Sequence, residues 1–120
     1  MKYEKEIYAI LYNLGIIKPY IGCRYIAYAM QVIDGYEKQT ASLTKSLYID
    51  VASLSNTSVY CVERDIRAIA EMIWALDDNK TIINDIFGCK YVHKRPTNKE
   101  FLWMLYEYVK YESEYKKIHN

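Results

Sequence analysis

No stretch of this sequence approaches the roughly 20 uninterrupted apolar residues that a membrane-spanning helix requires. The opening residues include Lys2, Glu4, Lys5 and Glu6, a density of charge that excludes a secretory signal. Both absences lead to the expectation of an intracellular protein. Glycine is scarce, at 4 residues in 120, and none of it forms the loop that cradles a phosphate. Cys23, Cys61 and Cys89 are odd in number and scattered, with no Cys-x-x-Cys pair, so a redox motif or metal site is not indicated and free thiols are expected. His93 near Cys89 stands alone and makes no metal-ligand set. No nucleophile, base and orienting group fall at a catalytic spacing, so neither an enzyme nor a cofactor is expected. A one-signed charge is missing too: the formal net charge is +1, so contact with nucleic acid would have to come from local charge.

What the chain has is apolar material, 52% of 120 residues, enough for one compact domain over 1–120 without staples. It also has 14 tyrosines, among them Tyr106, Tyr108, Tyr111 and Tyr115. A ring with one polar tip suits half-buried helix flanks, so the tyrosines are read as packing at the core edge.

The apolar spacing predicts six helices and no strand. Ile7, Ile10, Leu11 and Leu14 form the stripe of the first, with Gly15 as its left-handed cap. Pro19 suits the first position of the second, which carries Gly22, Ile26, Ala29, Met30 and Ile33 and is expected to break at Asp34-Gly35. After a polar connector from Tyr36 to Ala41, Ser42 or Thr44 is a cap for a short third helix with Leu47, Val51, Ala52 and Leu54. Thr57 or Ser58 then caps a fourth, on which Val59, Val62, Ile66, Ile69, Ala70 and Ile73 give the strongest periodicity in the chain. Asp77-Asp78-Asn79 breaks it; Thr81 to Phe87 is a fifth helix stopped by Gly88. Thr97 and Glu100 make a capping box for the sixth, whose face is Phe101, Leu102, Leu105, Tyr108 and Val109.

A helix-turn-helix needs a small residue where its helices cross, a turn residue that accepts positive φ, and an apolar lock on its second helix. Ala52, Asn56 and Val62 meet these demands in order, across about residues 44–76. On a wheel of roughly 100° per residue, the stripe of the fourth helix (58–76) faces one way and Arg64 the other, with Glu63 and Arg67 on one shoulder and Asp65 on the opposite one. A recognition helix reads bases with its first turns; arginine pairs with guanine, and glutamate accepts from cytosine N4. Glu63, Arg64 and Arg67 are therefore the candidate base-reading residues. Glu63 and Arg67, four apart, equally fit a surface ion pair worth about 0.3–0.5 kcal/mol.

Four strings carry a family resemblance: Leu43-Thr44-Lys45-Ser46-Leu47-Tyr48-Ile49-Asp50-Val51-Ala52, Val62-Glu63-Arg64-Asp65-Ile66-Arg67, Ile86-Phe87-Gly88 and Arg95-Pro96-Thr97-Asn98-Lys99-Glu100-Phe101. The chain resembles the C-terminal effector domain of the sporulation master regulator, stage zero sporulation protein A, with weaker similarity from about Leu14 to Glu112. The resemblance implies an all-α, six-helix domain whose third and fourth helices bind promoter DNA as a tandem pair or dimer. It also implies contact with the sigma subunit of RNA polymerase, and a cytoplasmic, nucleoid-associated regulator. Its base-contacting positions fall on Glu63, Arg64 and Arg67, the three that the wheel selects. Thr44, Lys45, Ser58, Tyr60, Lys90, Lys94, Arg95 and Lys99 are candidates for phosphate contacts, which hold register without reading sequence.

The sequence departs from the family in ways that matter. With so short a stretch ahead of Gly15, no phosphoacceptor receiver domain is expected, and another signal is expected to replace phosphorylation. Cys61 stands where the family places a basic side chain, and Asp65 adds a negative charge beside Arg64. The loop from Cys89 to Arg95 is slightly shorter than the family's. With the near-neutral net charge, these features support an alternative: an interaction or antagonist module of the same fold that has lost DNA binding.

Overall fold

The computed structural model describes residues 1–37 and 46–119. Six α-helices occur among them and no strand: α1 (Glu4–Asn13), α2 (Ile21–Glu37), α3 (Leu47–Ser55), α4 (Val59–Ala75), α5 (Lys80–Phe87) and α6 (Asn98–His119). A 3-10 turn, Cys89–Tyr91, follows α5.

The long helix α2 packs against α1, α3, α4 and α6. Its crossing with α4 depends on Gly22, where a Cβ would come within 2.4 Å of the Asp65 carbonyl oxygen and 2.6 Å of Ile69 Cγ1. Only a residue without a side chain lets the two backbones approach that closely. The predicted stripe of α4 is buried at Val62, Ile66, Ile69, Ala70 and Ile73, while Val59 is exposed. Each large aliphatic of this kind contributes about 1.5–3 kcal/mol on burial.

Several boundaries differ from those expected. Pro19 stands two residues ahead of α2 rather than at its first position. Asp34-Gly35 does not end α2, which runs on to Glu37. A glycine inside a helix costs about 1 kcal/mol, and tertiary contacts on both sides of Gly35 offset it. Asp34 accepts a hydrogen bond from Tyr106 Oη at 2.8 Å and pairs with Lys2 at 3.5 Å, and Tyr36 Oη donates to Asp50 while accepting from the Ser46 hydroxyl. The connector thus starts later than Tyr36, and the rest of it lies outside the described residues. So do Ser42 and Thr44; Ser46 occupies the cap position of α3, without a side-chain capping bond. On α6 the buried face includes Tyr106 and excludes the half-buried Tyr108. Tyr106 is no core-edge ring but one of the largest fully buried side chains, edge-on to Tyr3.

Asn79 does more than break a helix. It is 3% exposed, and its Nδ2 donates to the carbonyls of Leu14 at 2.8 Å and Ile73 at 2.9 Å. One amide thereby ties the end of α1 to the last turn of α4. Beside it, Trp74 packs on Phe87 and Phe101 and donates Nε1–H to the Tyr91 carbonyl at 2.7 Å, which fixes the 3-10 turn to the C-terminal end of α4.

Candidate nucleic-acid interface

The turn between α3 and α4 is built as its residues require. Asn56 adopts φ 54° and ψ 50°; the amides of Asn56 and Thr57 bond back to the carbonyls of Ser53 and Ala52 at 3.3 and 3.0 Å, a Schellman closure. Asparagine tolerates that left-handed geometry better than other residues with a Cβ. Of the two caps expected for α4, Ser58 is the one used: its Oγ accepts from the Cys61 amide at 3.1 Å. Ala52 and Val62 are buried, as a helix crossing demands.

The first turns of α4 bury Val62 and Ile66 but leave their outer face open. Tyr60 is 71% exposed, Arg64 is exposed, and Glu63 and Arg67 are half-buried. Both arginines have carboxylate partners. Arg67 Nη2 donates to Glu63 Oε1 at 2.9 Å, the ion pair that the four-residue spacing allows. Arg64 donates Nε–H to Asp65 Oδ1 at 3.1 Å and Nη2–H to Oδ2 at 3.4 Å, and its Cζ lies 5.5 Å from the Tyr60 ring centroid. Hydrogen bonding to Asp65, then its charge, raises the Arg64 pKa above the usual value. The Cys61 thiol is held below its usual value, mostly by the Ser58 and Thr57 hydroxyls, with Arg64 adding a smaller effect.

A second element reaches the shoulder of α4. Asn98, first residue of α6, donates Nδ2–H to the Glu63 carbonyl at 3.3 Å, and its Oδ1 accepts from Arg95 Nη1 at 3.3 Å. Tyr48 of α3 belongs to the same cluster; burial first, and then the Glu63 charge, push its phenol above the ordinary value, against a hydrogen bond with Asn98. The Thr97–Glu100 capping box forms in both directions, with Thr97 N donating to Glu100 Oε1 at 2.9 Å and Glu100 N to Thr97 Oγ1 at 3.2 Å.

Glu63, Arg67 and Arg95 are thus brought together, with Ser58, Tyr60 and Arg64 on the same helix end. Lys94 is exposed on the segment that leads into α6 and Lys99 on its first turn. Lys90 is set apart: it lies over the Tyr91 ring at 5.4 Å, beside Trp74, and Trp74 is about 15 Å along the helix axis from Arg64. Thr44 and Lys45 lie outside the described residues. Asn98 and Tyr48 were not expected here. No local spacing links Asn98 to Glu63, 35 positions away, and Tyr48 reads as one more core-edge tyrosine.

A family model described as the sporulation initiation factor Spo0A C-terminal domain matches residues 7–109, most of the 120-residue chain. The chain belongs to this family. The Spo0A C-terminal match begins at Ile7 in α1 and ends at Val109, the last buried residue of α6. Spo0A C-terminal domains are effector domains of sporulation regulation, generally DNA-binding and regulatory rather than enzymatic. The helix-turn-helix formed by α3 and α4 is consistent with that family. Among the described residues, no helix is long and apolar enough to cross a membrane.

Proposed function

We propose that this chain is a sequence-specific transcription regulator that lays the N-terminal half of α4 in the DNA major groove. One observation carries the reading: in a family that binds DNA, α4 buries its apolar stripe and turns Glu63, Arg64 and Arg67 outward on its first turns. Arginine at such a position pairs with guanine O6 and N7, and glutamate accepts from cytosine N4. Ser58, Tyr60, Lys94, Arg95 and Lys99 hold phosphates on either side of the helix, with Lys90 reaching farther along the duplex and Thr44 and Lys45 contributing from the segment before α3. The domain works as a tandem pair or dimer on its operator and meets the sigma subunit of RNA polymerase, in the cytoplasm at the nucleoid.

Selection from a random pool of duplexes, followed by binding measurements across salt concentrations, tests this reading. A preferred sequence should emerge, with log K falling as log salt rises. Lys94→Ala should weaken all sequences alike and reduce the salt slope by about 1.

The pairing of both arginines with carboxylates supports a second reading, a partner-binding module of the same fold that no longer takes DNA. Absence of duplex binding even at low salt would favour it.

A further inference from the structure

Arg64 and Asp65 are adjacent in sequence, and adjacent helical residues diverge by roughly 100°, so they do not ordinarily meet. Here they do, through two hydrogen bonds of 3.1 and 3.4 Å. The edge engaged is the Nε–Nη2 side of the guanidinium. A guanidinium has a rigid fork of donors, so occupying that side leaves the Nη1–Nη2 end, whose N–H groups suit bidentate pairing with guanine O6 and N7. Tyr60 lies against the same group, with its ring centroid 5.5 Å from Arg64 Cζ.

The platform beneath Asp65 is rigid. Its backbone carbonyl sits at the tightest point of the α2–α4 crossing, over Gly22, and its side chain is 20% exposed against 50% for Arg64. The carboxylate is therefore the fixed member of the pair and the arginine the member that is held.

We propose that Asp65 is a positioning residue for base recognition: it holds the side edge of Arg64 and presents the end of the guanidinium to a guanine. The inference rests on the reading of α4 as a recognition helix. Asp65 also adds negative charge near the phosphates, so it weakens binding to every sequence while it sharpens choice at one base pair. These opposite effects separate positioning from simple neutralisation of Arg64.

The test compares the full chain with Asp65→Ala, Asp65→Asn, Arg64→Ala and the Arg64→Ala/Asp65→Ala double variant. The probes are the duplex chosen from a random pool, its single-base-pair variants and an unrelated duplex, with circular dichroism as the check on folding. Asp65→Ala should bind the unrelated duplex several-fold more tightly. It should lose about tenfold discrimination at the base pair that Arg64→Ala also relaxes, within the range of one bidentate contact. Asp65→Asn, which keeps one acceptor oxygen, should fall between. The double variant should discriminate no worse than Arg64→Ala alone, because the two residues act as a unit. Specific binding by the wild type with unchanged or sharper discrimination in Asp65→Ala overturns the positioning role alone, as do additive losses in the double variant. No duplex binding by the wild type at low salt overturns the recognition-helix reading and this inference with it.

Discussion

The two halves of α4 share one apolar stripe but meet different surroundings. From Ile69 to Trp74 the inner face of the helix is held from several sides: Ile69, Ala70 and Ile73 are buried, Asn79 bonds to the Ile73 carbonyl, and Trp74 packs on Phe87 and Phe101 and bonds to the Tyr91 carbonyl. From Val59 to Arg64 only Val62 is buried, and the polar groups bond within α4 or to Asn98 at the start of α6. One half anchors the helix; the other presents polar side chains on its outer face. Substitutions in the first should therefore cost stability, and substitutions in the second should cost binding while leaving the fold intact.

The largest expected effect belongs to the anchored half. Ile73→Ala opens a cavity in a fully buried position and should cost about 2–5 kcal/mol, measured by denaturant unfolding. A loss under 1 kcal/mol would break the contrast between the halves. Asn79→Ala removes both donors that join α1 to α4 and leaves the Leu14 and Ile73 carbonyls short of a partner. A loss of about 1–3 kcal/mol is expected.

The smallest effect is set by pH at the start of α6. The Thr97 amide, then the Tyr91 and Thr97 hydroxyls, hold the exposed Glu100 carboxyl below its ordinary value of 4.5. A carboxylate with a depressed folded pKa adds stability above its unfolded pKa and loses it as pH falls through the folded one. Acidification below about pH 4.5 should therefore loosen the Thr97–Glu100 cap, and Glu100→Gln should remove that part of the pH dependence of unfolding.

Features set by near neighbours could be read from the chain. The α4 stripe, the left-handed Asn56, the Ser58 cap and the Thr97–Glu100 box all depend on spacings of five residues or fewer, and each forms, the stripe without Val59. Features set across the fold could not. Gly35 reads as a helix stop because the support from Tyr106 at Asp34 comes from 72 positions away. Asn79 reads as a breaker, since nothing nearby announces that Leu14 will lie against its amide. At the candidate interface, the wheel turns Arg64 outward, as found, and puts Asp65 on a shoulder of the same face; that the two side chains meet through two hydrogen bonds depends on side-chain conformation, which the wheel does not give. Glu63 and Arg67 form the ion pair that spacing allowed, so any base contact they make must compete with each other's charge.

The central claim is that the open half of α4 reads DNA, and Arg64→Ala tests it most directly. Binding of wild type and variant to the pool-selected duplex, and to its single-base-pair changes, is compared by gel shift. A loss of about 1–3 kcal/mol on the preferred site, with discrimination relaxed at one base pair and unfolding unchanged, is the predicted result. Equal affinity and equal discrimination in the two proteins would contradict it.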